Sequence, residues 1–272
     1  MLDEIGYWSE IKLDIIKKYA SAYSRILNKK GRFYHIYIDA FAGSGVHISR
    51  TTKNFVLGSP INALLVKPPF KEYHFIDLDK IKVETLEEIS GQQDNVKIYE
   101  ADCNIILLEK VFPQVKYEDY RRALCLLDPY GLHLNWEVIE TAGKMRSIEI
   151  FLNFPIADMN RNVLRKKPEQ IDIKQKERLN KYWGNDSWID IAYNDVPDLF
   201  EQDKEKVTND LIAEGFRKRL IEVANFKYVP EPLPMRNTKG AIVYYLFFAA
   251  HQPVAEGIVL DIFNKYKKLG VT

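Results

Sequence analysis

Apolar positions along the chain recur at three- and four-residue steps at its start, then in short compact runs, then at helical steps again. Trp8, Ile11, Ile15, Tyr19 and Tyr23 predict an amphipathic helix over Tyr7 to Leu27, with Lys12, Lys17 and Lys18 interleaved. Five short apolar runs follow and predict strands: Ile36 to Ile38, Tyr73 to Ile76, Val96 to Tyr99, Ala123 to Leu127 and Ser147 to Phe151. Helical stretches separate them, which predicts an α/β fold with a mostly parallel sheet. From Ile156 to Arg219 the chain is rich in charge, tryptophan and helix formers, without a strand-like run, and is expected to be a helical insertion (156–220) into a domain made of 1–155 and 221–272. Strand patterning then returns. Phe226 to Val229 and Ala241 to Ala250 are expected to form a hairpin that adds one antiparallel strand. A last helix, Pro253 to Leu269, should turn Ile258, Ile262 and Tyr266 inward.

The chemistry sits where these runs end. The first strand runs into Asp39-Ala-Phe41-Ala-Gly43-Ser-Gly45, a glycine loop of the kind that lets a backbone approach a nucleotide-like ligand. No Lys-Ser or Lys-Thr follows Gly45, and the third glycine of the dinucleotide fingerprint is missing, so neither common phosphate loop fits. A tight turn without a ligand is the plain alternative. His47 to Leu57 reads as a polar detour before Gly58-Ser59-Pro60, where Ser59 should cap a helix and Pro60 should begin it. Asp77, followed by Leu78, closes the second strand, and a carboxylate there can accept hydrogen bonds from both hydroxyls of a ribose. Asp79 suits the N-cap of a helix over Lys80 to Ile89. Asp102 and Cys103 follow the third strand. Three acids in register at strand ends carry more weight than any one, because ligands of open α/β sheets bind at the carboxyl ends of strands.

The fourth strand ends in Asp128-Pro129-Tyr130-Gly131. This stretch resembles the Asp/Asn-Pro-Pro-Tyr/Phe motif of enzymes that methylate exocyclic amines. The resemblance implies that the Asp128 carboxylate and the Pro129 carbonyl hold the N–H groups of an amine whose lone pair is delocalised into its ring. Tyr130 can stack on that ring. A plain turn after a core strand would use the same residues. Asn153 and Phe154 follow the fifth strand and are expected beside the acceptor. Arg161 to Lys181 holds eight bases against three acids, among them Arg165, Lys166 and Lys167. Such runs are often solvated helix faces, yet with Arg236, Asn237 and Lys239 of the hairpin tip they are placed to form a basic rim over the opening. No general base is assigned, and His133 has no role in this scheme.

Composition narrows the classes. Lys plus Arg is 39 against 38 acids, so no global electrostatic footprint points to nucleic acid or membrane. The two cysteines, Cys103 and Cys125, both lie in apolar surroundings, which argues against a zinc site or disulfides and for a reducing cytoplasm. No apolar run is long enough to span a bilayer.

The Asp-x-Phe-x-Gly-x-Gly loop resembles the first motif of class I S-adenosylmethionine (SAM)-dependent methyltransferases. The resemblance implies a Rossmann-like sheet, SAM as cofactor, and cofactor contacts at Asp39, Phe41, Gly43, Gly45, Asp77, Leu78, Asp102 and Cys103. Asp102 would face the adenine amino group. Asp128-Pro129-Tyr130 resembles still more closely the Asp-Pro-Phe-Gly of tRNA guanine N2-dimethyltransferases. Tyr130 stands where amino-methylating families usually carry a second proline. Taken together, YWSEIKLDIIKKY, IDAFAGSG, GSP, FIDLD, LDPYGL with Trp136, and FLNFP resemble the three-Cys-motif partner proteins (TcmP), over Trp8 to Pro155. That family implies a SAM-dependent methyltransferase often encoded beside a radical-SAM-like protein with a CxxxCxxC motif. Two functions follow as expectations: methylation of an amino group on a nucleic-acid base, or docking of the three-Cys-motif protein by a SAM-type fold.

Overall fold

The computed structural model describes residues 3–197 and 202–268, so Leu269, the end of the predicted last helix, lies outside the described residues. Seven strands form the central sheet: β1 Tyr34–Asp39, β2 Glu72–Asp77, β3 Val96–Glu100, β4 Arg121–Leu127, β5 Ile148–Phe154, β6 Leu233–Arg236 and β7 Ile242–Ala249. Their spatial order is β6-β7-β5-β4-β1-β2-β3. The first five are parallel, and β7 runs antiparallel to both of its neighbours, β5 and β6.

Side chains alternate across this sheet as the two-residue period of a strand demands. Ile36, Ile38, Cys125 and Leu127 face one layer of helices, while Tyr37, Leu124 and Leu126 face the other. The second layer holds α1 Tyr7–Lys29, α2 Ser59–Leu64 and α3 Lys80–Ser90. The first holds α4 Trp136–Met145, α5 Ile173–Trp183 and α6 Asn209–Glu222. α7 Pro253–Lys268 closes against α1. Both faces of the central strands are therefore covered, which is why they read as unbroken apolar runs.

Five expectations need correcting. The detour after Gly45 is a small sheet, in which Val46–Ser49 pairs with Phe55–Leu57 and, in parallel, with Glu4–Ile5. Strands of two to four residues are too short to show a period. The insertion contains an antiparallel pair, Tyr193–Pro197 with Gln202–Lys206. The hairpin partner of β7 is Leu233–Arg236, not Phe226 to Val229, of which only Tyr228 forms a bridge, to Ala250. Pro234 hides that strand from pattern reading, and it is tolerated because β6 is an edge. β5 runs three residues past its predicted end, which places Asn153 and Phe154 inside the strand. The inward face of α7 is centred on Val259 and Phe263, with Ile258 and Ile262 on its flank and Tyr266 buried.

Candidate active site

The parallel strands β1, β2 and β4 deliver their carboxyl ends to one edge of the sheet. At the first end, Gly43 and Gly45 both adopt left-handed backbone (φ 62° and 79°). Glycine does this without strain. Gly45 has a second reason: a Cβ there would stand 2.8 Å from Leu86 Cδ1 and 3.0 Å from Ile61 Cγ1. The loop is tied to the next strand by the Gly43 N–H, which donates to Asp77 Oδ2 at 2.8 Å. Asp79 N–H donates to the other oxygen, Oδ1, at 2.9 Å. Each carboxylate oxygen keeps a second lone pair for a ligand hydroxyl.

Asp39 is wholly buried beneath this loop and lines neither of the cavities described below. Burial pushes its carboxyl up to about 7, opposed by the neighbouring Ser59 hydroxyl and raised further by Asp128. Ser59 is therefore not the helix cap. Gly58 holds that position, and Pro60 follows in the first turn.

Two cavities open along the edge. One, of about 500 Å³, is bordered by Phe41, Asp77, Leu78, Asp102 and Cys103. Leu78 is 74% exposed, an apolar surface offered to the cavity. Asp79 caps α3 as expected, accepting from Ile81 and Lys82 N–H. Asp102 caps the short helix Cys103–Ile106 through Oδ1, which accepts from the backbone and side-chain nitrogens of Asn104. Burial pushes the Cys103 thiol up to about 12, so it is a neutral, apolar wall at physiological pH.

The second cavity, of about 390 Å³, is bordered by Asp128, Pro129, Tyr130 and Asn153, with Lys12, Trp8 and Tyr244 opposite. Lys12 comes from α1, is buried, and forms an ion pair with Asp128 Oδ2. Its ammonium also lies 5.3 Å from the centre of the Tyr244 ring. Tyr130 is 68% exposed; its hydroxyl donates to Asp3 Oδ2 at 3.4 Å, and Lys82 Nζ stands 5.4 Å from its ring centre. Asp3 in turn pairs with Lys82 at 2.6 Å, so the N-terminal strip is fastened to the rim of the site. His47 also lines this cavity, and burial lowers its pKa, which keeps the imidazole neutral. Phe41 and Tyr130 border both cavities and form the wall between them.

Most of the expected residues thus converge on one edge. Gly43 borders the second cavity; Gly45, like Asp39, lies underneath. Phe154 does not belong to the site. It is fully buried among Tyr182, Trp183, Phe216, Tyr245 and Phe247, because β5 continues through it with that side chain on the insertion side of the sheet. Arg165, Lys166, Lys167 and Arg236 border neither cavity, nor do Asn237 and Lys239; of the basic run, Arg161 alone does. The Arg236 guanidinium is spent on the Gly240 carbonyl at 2.9 Å. Lys12 and His47 were missed. Lys12 had left a signal, lying four residues after Trp8 on the apolar face of α1.

Neither a family model nor a curated protein matches this chain. Among solved structures, protein LPL1258 of Legionella pneumophila, assigned to the family model DUF519, superposes with a TM-score of 0.53 at 13% identity, over 95% of this chain and 94% of its own. A SAM-dependent methyltransferase of Clostridium acetobutylicum gives 0.42 at 10% identity over 86% and 91%, and one of Mesorhizobium loti gives 0.39 at 12% over 83% and 95%. At such identities the likeness is one of fold. The strand order, with its single antiparallel member, is that of a Rossmann-like α/β sheet.

Proposed function

We propose that this chain is a SAM-dependent methyltransferase that acts on an amino nitrogen, with a nucleic-acid base as acceptor. The observation that carries the reading is the wall shared by the two cavities: Phe41 and Tyr130 separate a pocket suited to an adenosine from one floored by Asp128 and Pro129. The donor set of the first pocket fits the cofactor. Asp77 has lone pairs for ribose hydroxyls, Asp102 has Oδ2 outside its cap hydrogen bonds, and the exposed Leu78 can cover a flat ring. SAM, when bound, supplies an electrophilic methyl group. Everything else falls to the protein. Asp128 Oδ1 and the Pro129 carbonyl accept the N–H groups of the amine, Lys12 fixes the carboxylate through Oδ2, and Tyr130 offers its exposed face to the ring.

Calorimetric titration with SAM, followed by transfer of labelled methyl to total RNA and DNA, tests this. Asp128→Ala, which removes the acceptor, should abolish transfer and leave SAM affinity nearly intact. Equal loss of both would make Asp128 a cofactor or folding residue. A second reading is favoured by the exposure of Arg165 and Lys166 outside the cavities: they form a docking surface for an acidic partner, such as the three-Cys-motif protein that the resemblance to TcmP implies. Reversal of both to Glu would then leave nucleic-acid binding and its salt dependence unchanged, whereas phosphate contacts would make that dependence shallower.

A further inference from the structure

A third cavity, of about 440 Å³, lies at the opposite end of the sheet, where β4 and β5 begin. It has no part in the reading above. Its walls are aromatic and aliphatic: Tyr23, Ile26 and Leu27 of α1, then Phe33, Tyr117 and Tyr120. Its rim is cationic. Arg122 stacks 3.8 Å from the centre of the Tyr117 ring, and Arg32 lies between Phe33 (5.1 Å) and Tyr120 (5.3 Å), with Lys30 and Arg146 alongside. Glu118 and Glu149 are the acids that face it.

Two features are not explained by folding. Tyr23 is 6% exposed, and its buried hydroxyl has no hydrogen-bond partner among the described residues, a costly arrangement that a ligand or water would relieve. Tyr120 holds left-handed backbone (φ 54°), which disfavours a side chain of its size. Glycine or asparagine would serve that turn better. Strain retained at the rim of a cavity is the pattern of a binding site.

We propose that this cavity binds a nucleotide, the base among Tyr23, Phe33 and Tyr120 and the phosphate on Arg32 and Arg122. A base needs a flat apolar slot, a hydrogen-bonding floor and a cationic lip. The floor is Tyr23 Oη and the Glu149 carboxyl, which accepts from Tyr19 Oη at 2.5 Å and which burial pushes up to about 7, so that it both donates and accepts near neutrality. Guanidinium planes already layered on tyrosines supply the faces on which bases stack. A free nucleotide and the terminal nucleotide of a strand share this chemistry.

The test uses the whole chain in calorimetry, with AMP and a short oligodeoxyadenylate as alternative probes and adenosine and inorganic phosphate as controls. AMP or the oligonucleotide should bind with S-adenosylhomocysteine already at saturation, and the tighter of the two names the source. Tyr120→Gly keeps the left-handed turn and removes the ring; Arg32→Glu reverses an exposed charge. Each should weaken binding by roughly tenfold, the scale of one lost stack or phosphate contact. S-adenosylhomocysteine affinity should stay unchanged in both variants. Lack of binding by both probes, competition with S-adenosylhomocysteine, equal binding of inorganic phosphate, or full affinity in both variants would overturn the proposal. Because the cofactor is titrated separately, failure of this site is distinguishable from failure of the methyltransferase reading.

Discussion

Asp77 holds the glycine loop with one oxygen and the start of α3 with the other, so its removal has two effects. Asp77→Ala should weaken SAM binding by about 1.5–3 kcal/mol, the worth of a charge-assisted hydrogen bond; an unchanged calorimetric affinity would refute its ribose role. Lys12 is a different kind of residue. Burying an ammonium is tolerable only against a counter-charge, so Asp128→Ala should cost on the order of 3 kcal/mol of stability through the stranded lysine. Denaturant unfolding should show that Lys12→Met in the same chain recovers most of that loss. Asp39 sets a pH dependence. With its carboxyl raised to about 7, the native state holds a proton that the unfolded chain releases from about pH 4 upward. Stability should therefore fall as pH rises from about 4 to 7, then level off, at up to about 1.4 kcal/mol per unit. Glu149, raised to about 7 as well, acts in the same direction. Asp39→Asn should flatten the slope, as read from urea midpoints across that range. At this scale the acids at strand ends were legible because a carboxylate ending an apolar run is conspicuous. Lys12 was not, because one lysine on an apolar face looks like a solvated flank until its partner, 116 residues away, is known.

Gly43 and Gly45 look equivalent in the sequence, and the elements around them make them unequal. Gly43 has open space where a Cβ would go, its nearest neighbour being His47 Cε1 at 3.9 Å, whereas Gly45 is pressed between α2 and α3. Gly43→Ala should cost about 1 kcal/mol, the left-handed penalty alone. Gly45→Ala adds overpacking and should cost roughly 3 kcal/mol. Equal losses in thermal or urea unfolding would remove the packing argument. The five parallel strands, α1 and the cap at Asp79 were legible, since each is long enough or chemically marked enough to show its own period. The strip Glu4–Ile5, its partners over 46–57 and the edge strand β6 were not: they are short, and Pro234 breaks the pattern that would have revealed β6.

Over the whole molecule, residues of the expected insertion pack into the same core as one face of the sheet. Phe154, Phe247 and Phe216 meet Tyr182 and Trp183 in one aromatic cluster, so residues on both sides of the expected domain boundary share one interior. Phe154→Ala should lose about 3–5 kcal/mol of stability. Had Phe154 been an acceptor residue, the same change would lower transfer and leave unfolding midpoints unmoved. The sequence hid this because a phenylalanine after a predicted strand end reads as exposed until the strand is seen to continue. The closure of α1 against the far end of the chain has its own consequence. Tyr19 rests 5.3 Å from the Phe151 ring and 4.7 Å from that of Phe248, and Tyr266 of α7 bonds Asp14. α1 is made before the sheet it packs on, and part of its bed, Phe248 and α7, is made more than two hundred residues later. Until β7 and α7 are made, the nascent chain carries an uncovered aromatic surface, the condition in which a partly folded chain is prone to aggregate.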